Sequence, residues 1–157
     1  MAIRNIRTED DAILRKKSRP VEKFDERLFE LLDDMADTMC DAEGVGLAAV
    51  QVGVLRRVVI VDVGDGLLEL INPEIIDEEG IQCDIEGCLS LPGKQAYTMR
   101  PKMVKVKAQN RDGNWCVYKG VDLKAKAFCH EIDHLDGIIY TDRKATQDEI
   151  DKFVEKE

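Results

Sequence analysis

Between positions 25 and 40 the apolar residues Leu28, Leu31, Leu32, Met35 and Met39 recur every three or four places. That is the period of one helical face, and Asp25 stands where an N-cap belongs. A second helical pattern runs over 123–135, with Leu123, Ala127, Phe128, Ile132 and Leu135 as apolar positions; Asp122 can cap its start and Asp136-Gly137 can end it. Between them the period becomes that of strands. Val58-Val59-Ile60-Val61 predicts a strand within 57–63, Gly64-Asp65-Gly66 turns the chain, and 67–71 returns as its hairpin partner. Asn72-Pro73 is expected to end that strand and 74–76 to resume it. Positions 103–108 alternate, Asp112-Gly113 turns, and 115–118 pairs back. Residues 77–95 read as a polar stretch punctuated by glycine. Residues 1–24 read as an irregular segment laid across the surface, and 146–157 as a short acidic helix or a frayed end. The expected fold is α+β in one domain, 1–157: antiparallel hairpins packed around the second helix, plus an N-terminal amphipathic helix.

Composition narrows the class. A chain of 157 residues that is 44% apolar can bury a core without disulfide staples, and no apolar run is long enough to span a bilayer. A net charge of −9 disfavours nonspecific binding to nucleic acid or to an anionic membrane. The basic cluster Arg15-Lys16-Lys17-Ser18-Arg19 is diluted by Glu9, Asp10, Asp11 and Glu22, which makes it a solvated face. Five cysteines, irregularly spaced and without a CxxC pair, point to a reducing compartment. The first residues carry no signal-peptide pattern, so a cytoplasmic location is expected.

The candidate chemistry lies in His130-Glu131-Ile132-Asp133-His134, which holds both histidines of the chain. Histidines four apart on a helix project from one face and can reach the same metal ion, with Glu131 beside them. A catalytic site of the zinc type takes three protein ligands and leaves one position for water, so a third ligand is required. With no other histidine, it is Cys40, Cys83, Cys88, Cys116, Cys129 or a downstream acid such as Glu149 or Glu155. Cys129 sits about 100° from His130 around the helix and is expected to be buried rather than ligating. Upstream, Gly44-Val45-Gly46-Leu47-Ala48-Ala49-Val50-Gln51 is small and apolar apart from one amide, and Gln51 needs a partner there.

Three stretches, Gly44-Val45-Gly46-Leu47-Ala48-Ala49-Val50-Gln51, Glu86-Gly87-Cys88-Leu89-Ser90 and His130-Glu131-Ile132-Asp133-His134, resemble in order the GxGLAAxQ, EGCLS and HExDH signatures of peptide deformylases. The resemblance implies that Cys88 is the third metal ligand with His130 and His134, around one divalent ion, iron(II) in the cell. Ligand softness also permits zinc, nickel or cobalt. It implies Glu131 as the proton carrier, Gln51 and the Leu89 N–H as oxyanion donors, and Glu86 with Arg100 as a supporting ion pair. The implied substrate is a nascent chain headed by N-formyl-Met, its side chain near Val45, Leu123 and Ala127 and its backbone along Val45, Gly46 and Gly87. The ribosome is an implied partner, but the acidic tail does not match family members that dock there through a basic C-terminal helix.

Overall fold

The computed structural model describes residues 2–156; Met1 and Glu157 lie outside them. The amphipathic stretch forms helix α1, Glu26–Asp41, with the Asp25 carboxylate accepting the Leu28 N–H. Strands β1 (Gly46–Ala48), β2 (Val58–Val61) and β3 (Leu68–Glu79) follow, then β4 (Gln82–Cys88) and β5 (Leu91–Arg100), then β6 (Met103–Gln109) and β7 (Trp115–Val121). Helix α2, Leu123–Leu135, and a short α3, Gln147–Glu155, complete the order. Five strands form one antiparallel sheet in the order β1-β2-β3-β6-β7, while β4 and β5 form a separate hairpin.

The large sheet lies between the two long helices. Side chains alternate across a strand. Val59 and Val61 therefore pack with Phe128, Ile132 and Leu135 of α2, whereas Val58 and Ile60 pack with Leu28, Leu32 and Met35 of α1. Burial on both faces is why this strand reads as an unbroken β-branched run. The expected α+β class, the amphipathic first helix and both hairpins of the large sheet are present.

Four expectations change. Asn72-Pro73 does not end the strand: β3 runs on to Glu79 through a register shift between Ile71 and Glu74. At a bulge proline's missing N–H costs no ladder bond, and Asn72, at φ 52, binds Val21 and Gln109 through its side chain. The polar stretch over 77–95 contains most of the β4–β5 hairpin, whose exposed Ile85 and Tyr97 and weak alternation hide it from pattern reading. The first segment crosses the surface only in part, since Asp11 caps a 3-10 turn, Ala12–Arg15, that buries Leu14 completely. Asp122 precedes α2 at φ 54 and makes no side-chain cap. The tail is helical, with Thr146 and Glu149 capping each other's N–H groups.

Candidate active site

Helix α2 has an apolar face like α1, yet it also buries His130, Glu131 and His134. The four-residue spacing brings the two imidazoles together, Nε2 to Nε2, at 3.2 Å. The β4–β5 hairpin delivers Cys88 to the same point, with its Sγ 3.3 Å from His134 Nε2. Among the described residues this is the group of metal-ligating side chains that converges, with donor atoms within 4.8 Å of one another. Cys40, Cys83 and Cys116 lie elsewhere, and Glu149 is on the exposed α3. Cys129 is buried as expected, and burial pushes its thiol up to about 11.

The donor set fits a cation. Glu86 Oε2 lies 2.5 Å from His130 Nδ1, which places the ring proton there and leaves the Nε2 lone pair for a metal. Despite the cost of burial, Glu131, Cys88 and Glu86 push His130 well above its ordinary value, and the same surroundings favour a metal ion on Nε2 in place of a proton. Burial, together with charge on His130, pushes His134 down to about 3, keeping its imidazole in the neutral form that ligates. Glu86 is itself held at about 2, against burial, by hydrogen bonds from His130 and Arg100. Arg100 reaches Glu86 through Nε and Nη2 at 3.0 and 2.7 Å and Asp133 through Nη1 at 2.7 Å. Thr98 donates to Glu86 at 2.8 Å, and Arg143 holds Asp133 at 2.6 and 3.0 Å.

Glu131 stands beside this centre, Oε2 4.0 Å from His130 Nε2, and burial raises its carboxyl to about 7. Gly46 explains how it fits, because a Cβ at that position would stand 2.5 Å from Glu131 Oε2. Gln51 Oε1 accepts the Ala48 N–H at 2.9 Å, while its Nε2 donates to Ser90 Oγ at 3.0 Å and approaches Cys88 Sγ at 3.5 Å. The lone amide of the apolar run therefore has its partners. Gly46, Gln51, Cys88, His130 and Glu131 open on a cleft of about 520 Å³.

A sequence model of the family described as Polypeptide deformylase matches residues 3–149. The chain is 60% identical over 143 residues to a peptide deformylase of Alkaliphilus metalliredigens, covering 91% of this chain and 97% of that one. It is 61% identical over 143 residues to the enzyme of that name from Acetivibrio thermocellus, covering 91% and 84% of the two. The chain belongs to the peptide deformylase family. Among solved structures, the peptide deformylase of Thermotoga maritima superposes with a TM-score of 0.89 at 41% identity, covering 92% of this chain and 99% of that one. With relatives this similar along nearly the whole chain, its activity is that of a peptide deformylase, a hydrolase with a Cys/His/His metal site.

The deformylase cleft is lined by most of the positions that the motifs singled out, while His134 is fully buried behind it. Val45, Gly46, Gly87, Leu123 and Ala127 line it, along with Gln51, Cys88, Leu89, His130 and Glu131. Glu86 and Arg100 form the buried ion pair. Sequence reasoning assigned nothing to Ser90, Thr98, Asp133 or Arg143. Ser90 and Asp133 lay inside the quoted motifs, whereas no local spacing could have shown that Thr98 and Arg143 fold onto the acids of the centre.

Proposed function

We propose that this chain removes the formyl group from N-formyl-methionine at the head of nascent polypeptides in the cytoplasm, with one divalent ion held by Cys88, His130 and His134. The observation that carries this reading is the meeting of one sulfur and two Nε2 atoms within 4.8 Å, beside a buried carboxylate in an open cleft. A bound ion supplies Lewis acidity and a water acidified toward neutrality. The donors suit iron(II), zinc, nickel and cobalt, and the family likeness favours iron(II) in the cell.

Glu131 takes a proton from the attacking water and passes it to the amine nitrogen as the C–N bond breaks, releasing formate and a free N-terminal methionine. Gln51 Nε2 carries two hydrogens. One is engaged by Ser90 Oγ, and the other, now on a long contact to Cys88 Sγ, is available to the oxyanion together with the Leu89 N–H. Val45, Leu123 and Ala127 receive the methionine side chain, while the main chain of Val45, Gly46 and Gly87 offers strand pairing to the substrate backbone. No helix among the described residues is long and apolar enough to cross a membrane. Helix α3 carries Asp148, Glu149, Asp151 and Glu155 against Lys152, so contact with the ribosome, where it occurs, uses another face.

The test is formate release from a formyl-Met peptide by protein purified without oxygen, wild type beside Glu131→Ala, with metal measured in both. The variant is expected to keep its metal and lose on the order of 10²-fold or more in rate. Equal rates would remove Glu131 from the chemistry, and no formate from metallated wild type would remove the function. Iron-loaded enzyme is expected to lose activity in air faster than nickel-loaded enzyme. Equal decay of the two would count against iron(II).

A further inference from the structure

The segment from Arg7 to Ser18, polar and without evident chemistry as sequence, bonds to the main chain at or next to the end of each of the three motifs. The Arg7 N–H donates to the Gln51 carbonyl at 2.7 Å, and the Glu9 N–H donates to the Ser90 carbonyl at 3.0 Å. Both acceptors sit against the proposed oxyanion donors: one is the main chain of Gln51 itself, the other is one residue beyond the Leu89 N–H. Those donors come from different places, the 3-10 turn after β1 and the turn between β4 and β5, and the two sheets share no ladder. An oxyanion hole acts only while its donors keep a fixed separation, near 3 Å from one developing charge. The Gln51–Ser90 bond joins the two turns through one side chain, and the first segment adds a main-chain hold on both.

Two residues supply that hold. The Arg7 guanidinium lies over Gly53, which ends the turn bearing Gln51; a Cβ on Gly53 would stand 2.7 Å from Arg7 Nη2. It is anchored by Asp11 at 2.9 Å. The Glu9 carboxylate meets Lys94 Nζ of β5 at 2.5 Å, tying the same short stretch to the hairpin that carries Leu89. Further along, Leu14 is buried with Leu91 and Tyr140, against Cys88, and the Ser18 N–H caps the end of α2 at the Leu135 carbonyl, 2.8 Å away. We propose that residues 7–9 form a strap that sets the distance between the two oxyanion donors, with Arg7 and Glu9 as positioning residues. This rests on the reading of Gln51 and Leu89 as those donors. The strap touches no substrate; it acts through the turns it holds.

The experiment is a kinetic cycle on the full-length, metal-loaded enzyme with a formyl-Met peptide: wild type, Arg7→Ala, Gln51→Ala and the double variant, each with kcat, KM and metal content. Gln51→Ala alone tests the underlying reading, with an expected loss of about 10²–10³-fold in kcat; full activity in that variant sinks the donor assignment and the strap together. With that loss in place, Arg7→Ala is expected to lower kcat about tenfold in the wild-type background at KM within twofold and unchanged metal. In the Gln51→Ala background it should cost nearly nothing, because the group it positions is gone. A fold loss equal in both backgrounds, or none in either, overturns the strap while leaving the donors standing. Glu9→Gln serves if Arg7→Ala does not fold, since it keeps side-chain shape and every backbone bond. It is expected to lower kcat several-fold, with recovery when Glu9→Lys is combined with Lys94→Glu. A kcat unmoved in Glu9→Gln, or not recovered by the exchanged pair, overturns the role of Glu9 in the strap.

Discussion

Helices α1 and α2 cover opposite faces of the same sheet, yet they are held in opposite ways. Helix α1 is stabilised mainly by what its own sequence provides, a side-chain cap at Asp25 and a stripe of leucines and methionines against β2, with its buried Asp34 bonded by Arg4 and the Ala2 N–H. Helix α2 starts from Asp122 at a positive φ with no side-chain cap, and it buries two imidazoles and a carboxylate among its apolar residues. Burying such groups is costly unless they are bonded. The bonds come from outside the helix, along a line from Arg143 to Asp133, Arg100, Glu86 and His130. Glu131 Oε1 and His134 Nδ1 still have no hydrogen-bond partner in the structure. One helix is built to fold, and the other is folded by its neighbours so that it can present reactive groups.

That contrast can be broken hardest at Arg100. Replacing it with Met leaves Glu86 buried beside His130 without its cation, which should cost about 3–5 kcal/mol in urea unfolding and weaken metal retention on dialysis. Unchanged stability would mean that α2 does not depend on this network. On the other side of the sheet, Leu32→Ala empties a fully buried position and should cost about 2–5 kcal/mol. Its kcat below the unfolding range should stay within twofold of wild type; a larger fall would show that α1 reaches the site.

The smallest effects compare the two helix starts. Asp25→Ala should destabilise by about 1 kcal/mol through loss of the bond to the Leu28 N–H. Asp122→Gly should instead stabilise by about 1 kcal/mol, because glycine accepts the φ of 54 without strain and no side-chain cap is lost. Thermal unfolding of the two variants side by side reads the signs, and the same sign in both would erase the distinction between the helices.

Local pattern determined a good part of this protein. Periods of 3.6 and 2 placed α1, α2, β2, the start of β3, β6 and β7, because each buries a face whose spacing is written in consecutive residues. The HExxH spacing puts two imidazoles on one helical face for the same reason, and the motif resemblance points to Cys88. What tertiary structure alone decided involves pairs far apart in the chain. Spacing could not choose Cys88 from the other cysteines, since only the β4–β5 hairpin brings its sulfur to His134, 46 positions away. That hairpin was itself hidden, because its outward Ile85 and Tyr97 blur the alternation that pattern reading needs. Gly46 shows the division at one residue. Its sequence signals only that backbone comes close to something, and the fold supplies the reason, a buried carboxylate that leaves no room for a Cβ.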